Sequence, residues 1–166
     1  MRKLESWFDE YSESHQNKTN KAIHYFCVPA IFFSICGLLM SIPSHGLSNI
    51  SPSIHPIITN WAFVALIFVN IFYLRLSIAM SLKMVLFSLA CLIGNYLIGQ
   101  VIGLWQFSLS LFVVAWVGQF YGHKIEGKKP SFLKDIQFLL IGPAWVMHNW
   151  TGKFGVQEKV QDQDQV

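Results

Sequence analysis

Charged side chains are nearly absent from the middle of this chain of 166 residues. Between Ala22 and Tyr121 the only fixed charges are Arg75 and Lys83, and there is no Asp or Glu. Over the whole chain 13% of the residues are charged, whereas soluble domains average about 25%. The mean hydropathy is +0.43. The missing charge excludes an ordinary soluble core and predicts an integral membrane protein.

Cysteine is also scarce, and so is any concentrated positive charge. Cys27, Cys36 and Cys91 are odd in number, lack CxxC spacing and lie in apolar runs, where a thiol behaves as a small hydrophobe. The net charge of +3 is modest, and the lysines flank apolar segments instead of alternating with aromatic residues in a stripe. We therefore expect no disulfide framework and no nucleic-acid partner.

Long apolar stretches make up most of the chain. Each is close to the ~20 residues that a bilayer core requires, and Gly, Pro, Ser or charged residues separate them. The sequence thus predicts an all-α integral membrane protein with four transmembrane helices, at Ala22 to Ile42, Ile57 to Leu76, Leu82 to Ile98 and Ile102 to Tyr121.

The segments on either side of these stretches are amphipathic or polar. Leu4, Trp7, Phe8 and Tyr11 follow helical spacing, which predicts a short amphipathic helix on the membrane surface. The segment 131–150 is apolar but interrupted by Gly-Pro at 142–143, and it predicts an interfacial or re-entrant helix, with a fifth span left open. The predicted division is a cytoplasmic amphipathic arm at 1–21, a four-helix transmembrane region at 22–121, a cytoplasmic-face motif with an interfacial helix at 122–152, and a disordered tail at 153–166.

Lysine and arginine are distributed asymmetrically along the predicted topology. They precede the first span, occur between the second and third, and follow the fourth, but they are missing between the first and second spans and between the third and fourth. Because cytoplasmic loops carry the excess of positive charge, both termini are predicted to be cytoplasmic. Acidic residues precede the first apolar run, so we expect that run to be retained and not cleaved as a signal peptide. The host membrane is expected to be a bacterial inner membrane or the endoplasmic reticulum.

Six histidines fall into two groups in this topology. His15, His24, His123 and His148 lie at or near the cytoplasmic face, and His45 and His55 lie in the opposite loop. Neutral imidazole is the commonest protein metal ligand, so four histidines at one interface indicate a metal site. The alternative is that they hydrogen-bond lipid head groups and cap helix ends.

The spacing of these residues constrains the site. His15 and His24 would lie on opposite sides of a continuous helix, so they can meet only if the chain turns, and Thr19 with Asn20 predicts a helix start near Lys21. His123 and Glu126 are three residues apart and share a helix face. Glu126 is a candidate metal ligand or orienting group. Gln119, one turn before His123, is a candidate hydrogen-bond partner for it.

Two polar segments resemble a known family. HQNKTNKAIH, from His15 to His24, and GQFYGHKIEGKKP, from Gly118 to Pro130, resemble motifs of the membrane 2-hydroxy fatty acid dioxygenases of fatty-acid α-oxidation. The resemblance implies an iron(II)-dependent enzyme that uses dioxygen to shorten a 2-hydroxy fatty acid by one carbon, with histidines needed for activity. By position, His15, His24 and His123 match the motif histidines.

The resulting hypothesis is a catalytic Fe(2+) site formed by four histidines near the cytoplasmic face. Its residues are His15, His24, His123 and His148 as ligands, Glu126 as a further ligand or orienter, and Gln119 and Asn20 as supporting partners. A 2-hydroxy carboxylate can chelate iron through two oxygens, while its acyl chain stays among the membrane lipids. The number of iron ions and the substrate-binding residues stay open.

Two alternatives are of other classes. A non-catalytic membrane protein would use the histidines structurally. A small transporter would depend more on Asn70, Asn95 and Gln100, although the chain has no internal repeat of the inverted-repeat kind.

Overall fold

The protein is helical throughout the part that the structure describes. The computed structural model describes residues 4–44, 46, 55–129 and 137–152. Six α-helices and no strand occur there, which confirms the all-helical prediction. They are α1 (Leu4–Glu13), α2 (Lys18–Met40), α3 (Trp61–Leu76), α4 (Ile78–Gly99), α5 (Leu104–Glu126) and α6 (Phe138–Gly152). The predicted tail at 153–166, the first part of the segment 131–150 and His45 lie outside the described residues.

Three of these helices are long and apolar enough to cross a membrane. They are α2, α4 and α5, with 23, 22 and 23 residues. The second predicted span forms only 16 helical residues, α3, or about 24 Å against the ~30 Å of hydrocarbon. It starts late because the Asn60 side chain caps it, accepting from Phe63 N at 3.0 Å and donating to the Pro56 and Ile57 carbonyls. The apolar helices support membrane association, and the count of four spans stays a prediction.

Close approach of α2 and α5 is the main feature of the helix packing. These two helices share the most extensive contact in the described structure. Gly118 and Gly122 of α5 face α2, and an added Cβ at Gly122 would overlap the Asn20 side chain. Small residues four apart let two backbones approach. The helix α5 ends at Gly127, whose φ of 71° lies in the left-handed region that glycine tolerates.

The helices α1 and α6 cover the end of this pair. Trp7 and Tyr11 of α1 are buried. The ring centroids of Trp7 and Phe138 are 5.3 Å apart, and those of Tyr11 and Trp145 are also 5.3 Å apart. The apolar stripe of α1 therefore contacts α6. The sequence predicted an interruption at Gly142-Pro143, which is wrong because α6 continues through both residues. Burial of its inner face, at Ile141, Ala144 and Val146, holds the helix together where proline removes a backbone hydrogen bond.

Candidate metal centre

Three histidines meet at the end of the α2–α5 pair. His15, His24 and His123 are 0%, 1% and 5% exposed. Each offers one ring nitrogen, and these atoms all lie within 4.8 Å of one another. The residues come from the α1–α2 turn, the second turn of α2 and the last turn of α5. Segments about 100 residues apart in sequence thus form one cluster.

The turn between α1 and α2 brings His15 back toward His24. Asn17 caps α2, and its Oδ1 accepts from Thr19 N at 2.8 Å and Asn20 N at 3.4 Å. The predicted turn between the two histidines is therefore present. The predicted caps were wrong, because α2 begins at Lys18 and Asn20 lies inside its first turn.

Backbone carbonyls orient two of the imidazoles. His15 Nδ1 donates to the Tyr11 carbonyl at 2.6 Å, and His24 Nδ1 donates to the Asn20 carbonyl at 3.0 Å. Because a carbonyl only accepts, the proton sits on Nδ1 and the lone pair sits on Nε2. His15 Nε2 is buried with no hydrogen-bond partner among the described residues. His24 Nε2 lies 3.2 Å from His123 Nε2.

The surroundings keep His15 neutral. Burial lowers its pKa to about 4, the hydrogen bond to the Tyr11 carbonyl opposes that shift, and the charges of His123 and Lys21 lower the pKa further. The Tyr11 ring stacks on the His15 ring with centroids 4.1 Å apart. At neutral pH this imidazole therefore presents a lone pair, the form that a metal requires.

The cluster fits a metal ion. A zinc ion, for example, binds imidazole nitrogen at about 2.0–2.1 Å, so two ligands at 90–110° are about 2.9–3.4 Å apart. The His24–His123 separation of 3.2 Å lies in that range. The His15 nitrogen lies within 4.8 Å of the other two, so its ring would move by up to about 1.5 Å to complete the set. A buried nitrogen without a partner is costly, and a metal would satisfy His15 Nε2. Imidazole ligands suit iron, copper, nickel and zinc.

Glu126 lies beside this cluster and holds the turn that carries His15. Its carboxylate accepts from Gln16 N and Asn17 N, each at 2.8 Å, and from Asn20 Nδ2 at 3.1 Å. Lys128 adds a bond from Nζ to the Glu13 carbonyl at 2.6 Å. Hydrogen bonds from Glu126 and Lys128, at and just after the end of α5, thus hold the α1–α2 turn in place. Of the two roles left open for Glu126, this geometry favours orientation.

The other candidate residues lie at different distances from the cluster. His148 is exposed, rests against Phe8 with centroids 5.1 Å apart, and is not part of the three-histidine group. Gln119 is buried, lines the same cavity as the three histidines, and interacts through its side chain with His24 across the helix pair. Asn20 supports the site twice, through its carbonyl on His24 and its amide on Glu126.

Sequence reasoning missed two supporting features. The first is the pair of carbonyls, of Tyr11 and Asn20, that accept from His15 and His24. Every residue has a carbonyl four positions earlier, so the sequence carries no signal for these two contacts. The second is the pair of glycines, Gly118 and Gly122, in the motif GQFYGHKIEGKKP. Two small residues four apart on a helix indicate close packing against another helix.

A narrow cavity of about 70 Å³ opens beside the histidines. A cavity needs at least about 10–15 Å³ to hold one water molecule, so this cavity is large enough for a small polar group. All three histidines, Tyr11 and Gln119 line it. A ligand in this cavity would reach the ring nitrogens directly.

Comparison with known proteins places these residues in a family. The pattern of the family described as "2-hydroxy-palmitic acid dioxygenase Mpo1-like" matches residues 1–154, which include all three histidines. The chain belongs to the Mpo1-like family. It is similar to 2-hydroxy-palmitic acid dioxygenase MPO1 of Saccharomyces cerevisiae, with 25% identity over 161 residues, which cover 95% of this chain and 85% of the yeast protein. No solved structure gives a significant match. Membership of the Mpo1-like family confirms the resemblance found in the two motifs.

Proposed function

We propose that this protein is a membrane-bound, Fe(2+)-dependent dioxygenase that cleaves 2-hydroxy fatty acids to the fatty acid one carbon shorter. The observation that carries the proposal is the meeting of three buried imidazoles at one cavity, in a chain of the Mpo1-like family. His15, His24 and His123 would hold the iron. His148 and Glu126 are not needed to complete this set.

The chemistry supplied by iron(II) in such a site is activation of dioxygen and chelation of the 2-hydroxy carboxylate through two oxygens. The protein supplies orientation and exclusion of water. The Tyr11 and Asn20 carbonyls hold two rings with Nε2 toward the cavity, and three protein ligands leave positions for substrate and dioxygen. Lys21 lies near enough to act on the charge of His15, and we assign it the role of offsetting the substrate carboxylate.

The proposed setting is a bilayer whose cytoplasmic face lies at the histidine end. There α3 is a fourth, short span, both termini are cytoplasmic, and α6 lies at the interface. The positively charged flanks of the first and fourth spans support this orientation. The substrate would enter from the lipid and keep its acyl chain there, in a bacterial inner membrane or the endoplasmic reticulum.

Turnover tests the proposal directly. Detergent-purified protein loaded with iron(II) is incubated with 2-hydroxypalmitic acid, with and without dioxygen, and the fatty acids are quantified by mass spectrometry. We expect an oxygen-dependent product one carbon shorter, which His24→Ala abolishes. His55→Ala is the matched control, because His55 is exposed and lies against Tyr96 with ring centroids 5.2 Å apart. Absence of product from the iron-loaded wild type would contradict the proposal and favour structural histidines.

A further inference from the structure

The cavity of about 70 Å³ at the histidines has an apolar part, which we call the groove. Beyond His24 it is lined by Val28, Ile31 and Ile35 of α2, Trp116 of α5 and Leu139 of α6. No charged side chain lines this part. The groove therefore suits an uncharged, apolar ligand whose polar end lies at the histidines.

The groove follows one face of α2. His24, Val28, Ile31 and Ile35 are separated by four, three and four residues, which places them along one side of a helix. Eleven residues of helix rise about 16 Å. That distance is about half of the ~30 Å hydrocarbon thickness, which is the depth available to the acyl chain of one leaflet.

Exposure along the groove changes from one end to the other. Val28 and Ile31 are buried, at 7% and 9% exposed, whereas Ile35 and Leu139 are each 41% exposed. The end near the histidines is enclosed, and the far end is open sideways to the surrounding lipid. A ligand can thus enter laterally and leave its tail partly in the bilayer.

We propose that this groove binds the first carbons of the acyl chain of the 2-hydroxy fatty acid, and that a longer chain leaves the groove past Ile35 into the lipid. The inference rests on the proposed function, because the polar end of the chain is taken to lie at the metal site. Continuity of the groove with the histidines favours the substrate, whose carboxylate end would reach the ring nitrogens, over a bulk lipid that would place only its tail there.

A cross-linking map locates the bound acyl chain of the ligand, and it does not require turnover. The probe is a 2-hydroxy fatty acid with a diazirine among the first carbons of its acyl chain, irradiated with the iron-loaded protein in detergent and competed with unlabelled 2-hydroxypalmitic acid. We expect competed label on α2 around Ile31 and Ile35, on Trp116 or on Leu139. A second apolar cavity lies between α3 and α4 around Asn70. Competed label confined to that cavity, or no competed label, would overturn the inference.

Chain-length selectivity gives the second readout. Ile35→Trp fills the far end of the groove, and Val114→Trp is the control because Val114 is 69% exposed on α5 and does not line the groove. In Ile35→Trp, kcat/KM for 2-hydroxypalmitic acid is expected to fall at least about tenfold, whereas kcat/KM for 2-hydroxyoctanoic acid is expected to stay unchanged. In the Val114→Trp control, kcat/KM for both acids is expected to stay unchanged. Equal loss for both acids, or no loss, would overturn the groove and leave the proposed function standing. Absence of turnover in the wild type would defeat the proposed function. The cross-linking map would then still show whether the groove binds the acyl chain.

Discussion

At the scale of single residues, the candidate site depends on how its imidazoles are oriented. A histidine side chain alone does not determine which nitrogen faces a metal. Here the carbonyls of Tyr11 and Asn20, each four residues earlier, bind Nδ1 of His15 and His24. Nε2 of both rings is therefore turned toward the cluster, where that of His24 lies 3.2 Å from His123 Nε2 and that of His15 has no hydrogen-bond partner among the described residues.

Glu126 is expected to position the α1–α2 turn and not to bind the metal. Glu126→Gln removes the charge and leaves one acceptor for the three N–H donors of Gln16, Asn17 and Asn20. Loss of hydrogen bonds to a charged group is expected to cost about 1–3 kcal/mol of stability, and it is measured as a lower midpoint of thermal unfolding in detergent.

The same variant separates the two roles in metal binding. A positioning residue is expected to weaken iron affinity by about 10–100-fold, while stoichiometric iron is still reached at higher iron concentration. If Glu126→Gln binds no iron at any concentration, as is expected of His24→Ala, then Glu126 is a ligand and the positioning role is wrong.

At the scale of the helices, the cluster depends on the close approach of α2 and α5. Gly122→Leu would force a side chain into the Asn20 amide, which is buried and bonded to Ser14 and Glu126. We expect overpacking of about 1–3 kcal/mol, with a lower unfolding midpoint and reduced iron content. The measurements are thermal unfolding and elemental analysis of the purified variant.

Gly46→Leu is the matched control for this substitution. An added Cβ at Gly46 meets no atom within 4 Å, so both the unfolding midpoint and the iron content are expected to stay at wild-type values. A Gly122→Leu protein that binds iron and unfolds like this control would show that the helix spacing at Gly122 does not matter for the site.

Much of this architecture could be predicted from the sequence, and the exceptions have physical reasons. Long uncharged runs predicted the apolar helices, and the break between His15 and His24 predicted their convergence. The bonds from Glu126 to the turn and from Gln119 to His24 could not be predicted, because they join residues about 95 to 110 positions apart. The start of α3 was misplaced because Ile57 and Ile58 prolong the apolar run, although Asn60 is of a residue type that commonly caps helices and does cap α3.

At the scale of the whole molecule, the buried histidines of the described residues gather at one end of an apolar helix assembly. The histidines, Glu126 and Lys128 gather where α2 begins and α5 ends, and the groove leads from there toward the middle of the helices. A substrate with a polar head and a long acyl chain matches this division. If the proposed function is right, the fold would combine an enclosed reaction site with access from the lipid.

The three-histidine metal centre is the central claim, and elemental analysis of purified protein tests it most directly. Wild type, His15→Ala, His24→Ala, His123→Ala and His148→Ala are reconstituted with iron(II) under reducing conditions, and bound metal is counted per chain. We expect stoichiometric iron in the wild type and in His148→Ala, whose side chain is exposed and outside the cluster, and loss of iron in the other three. A wild type without iron, or iron retained in all three cluster variants, would contradict the account.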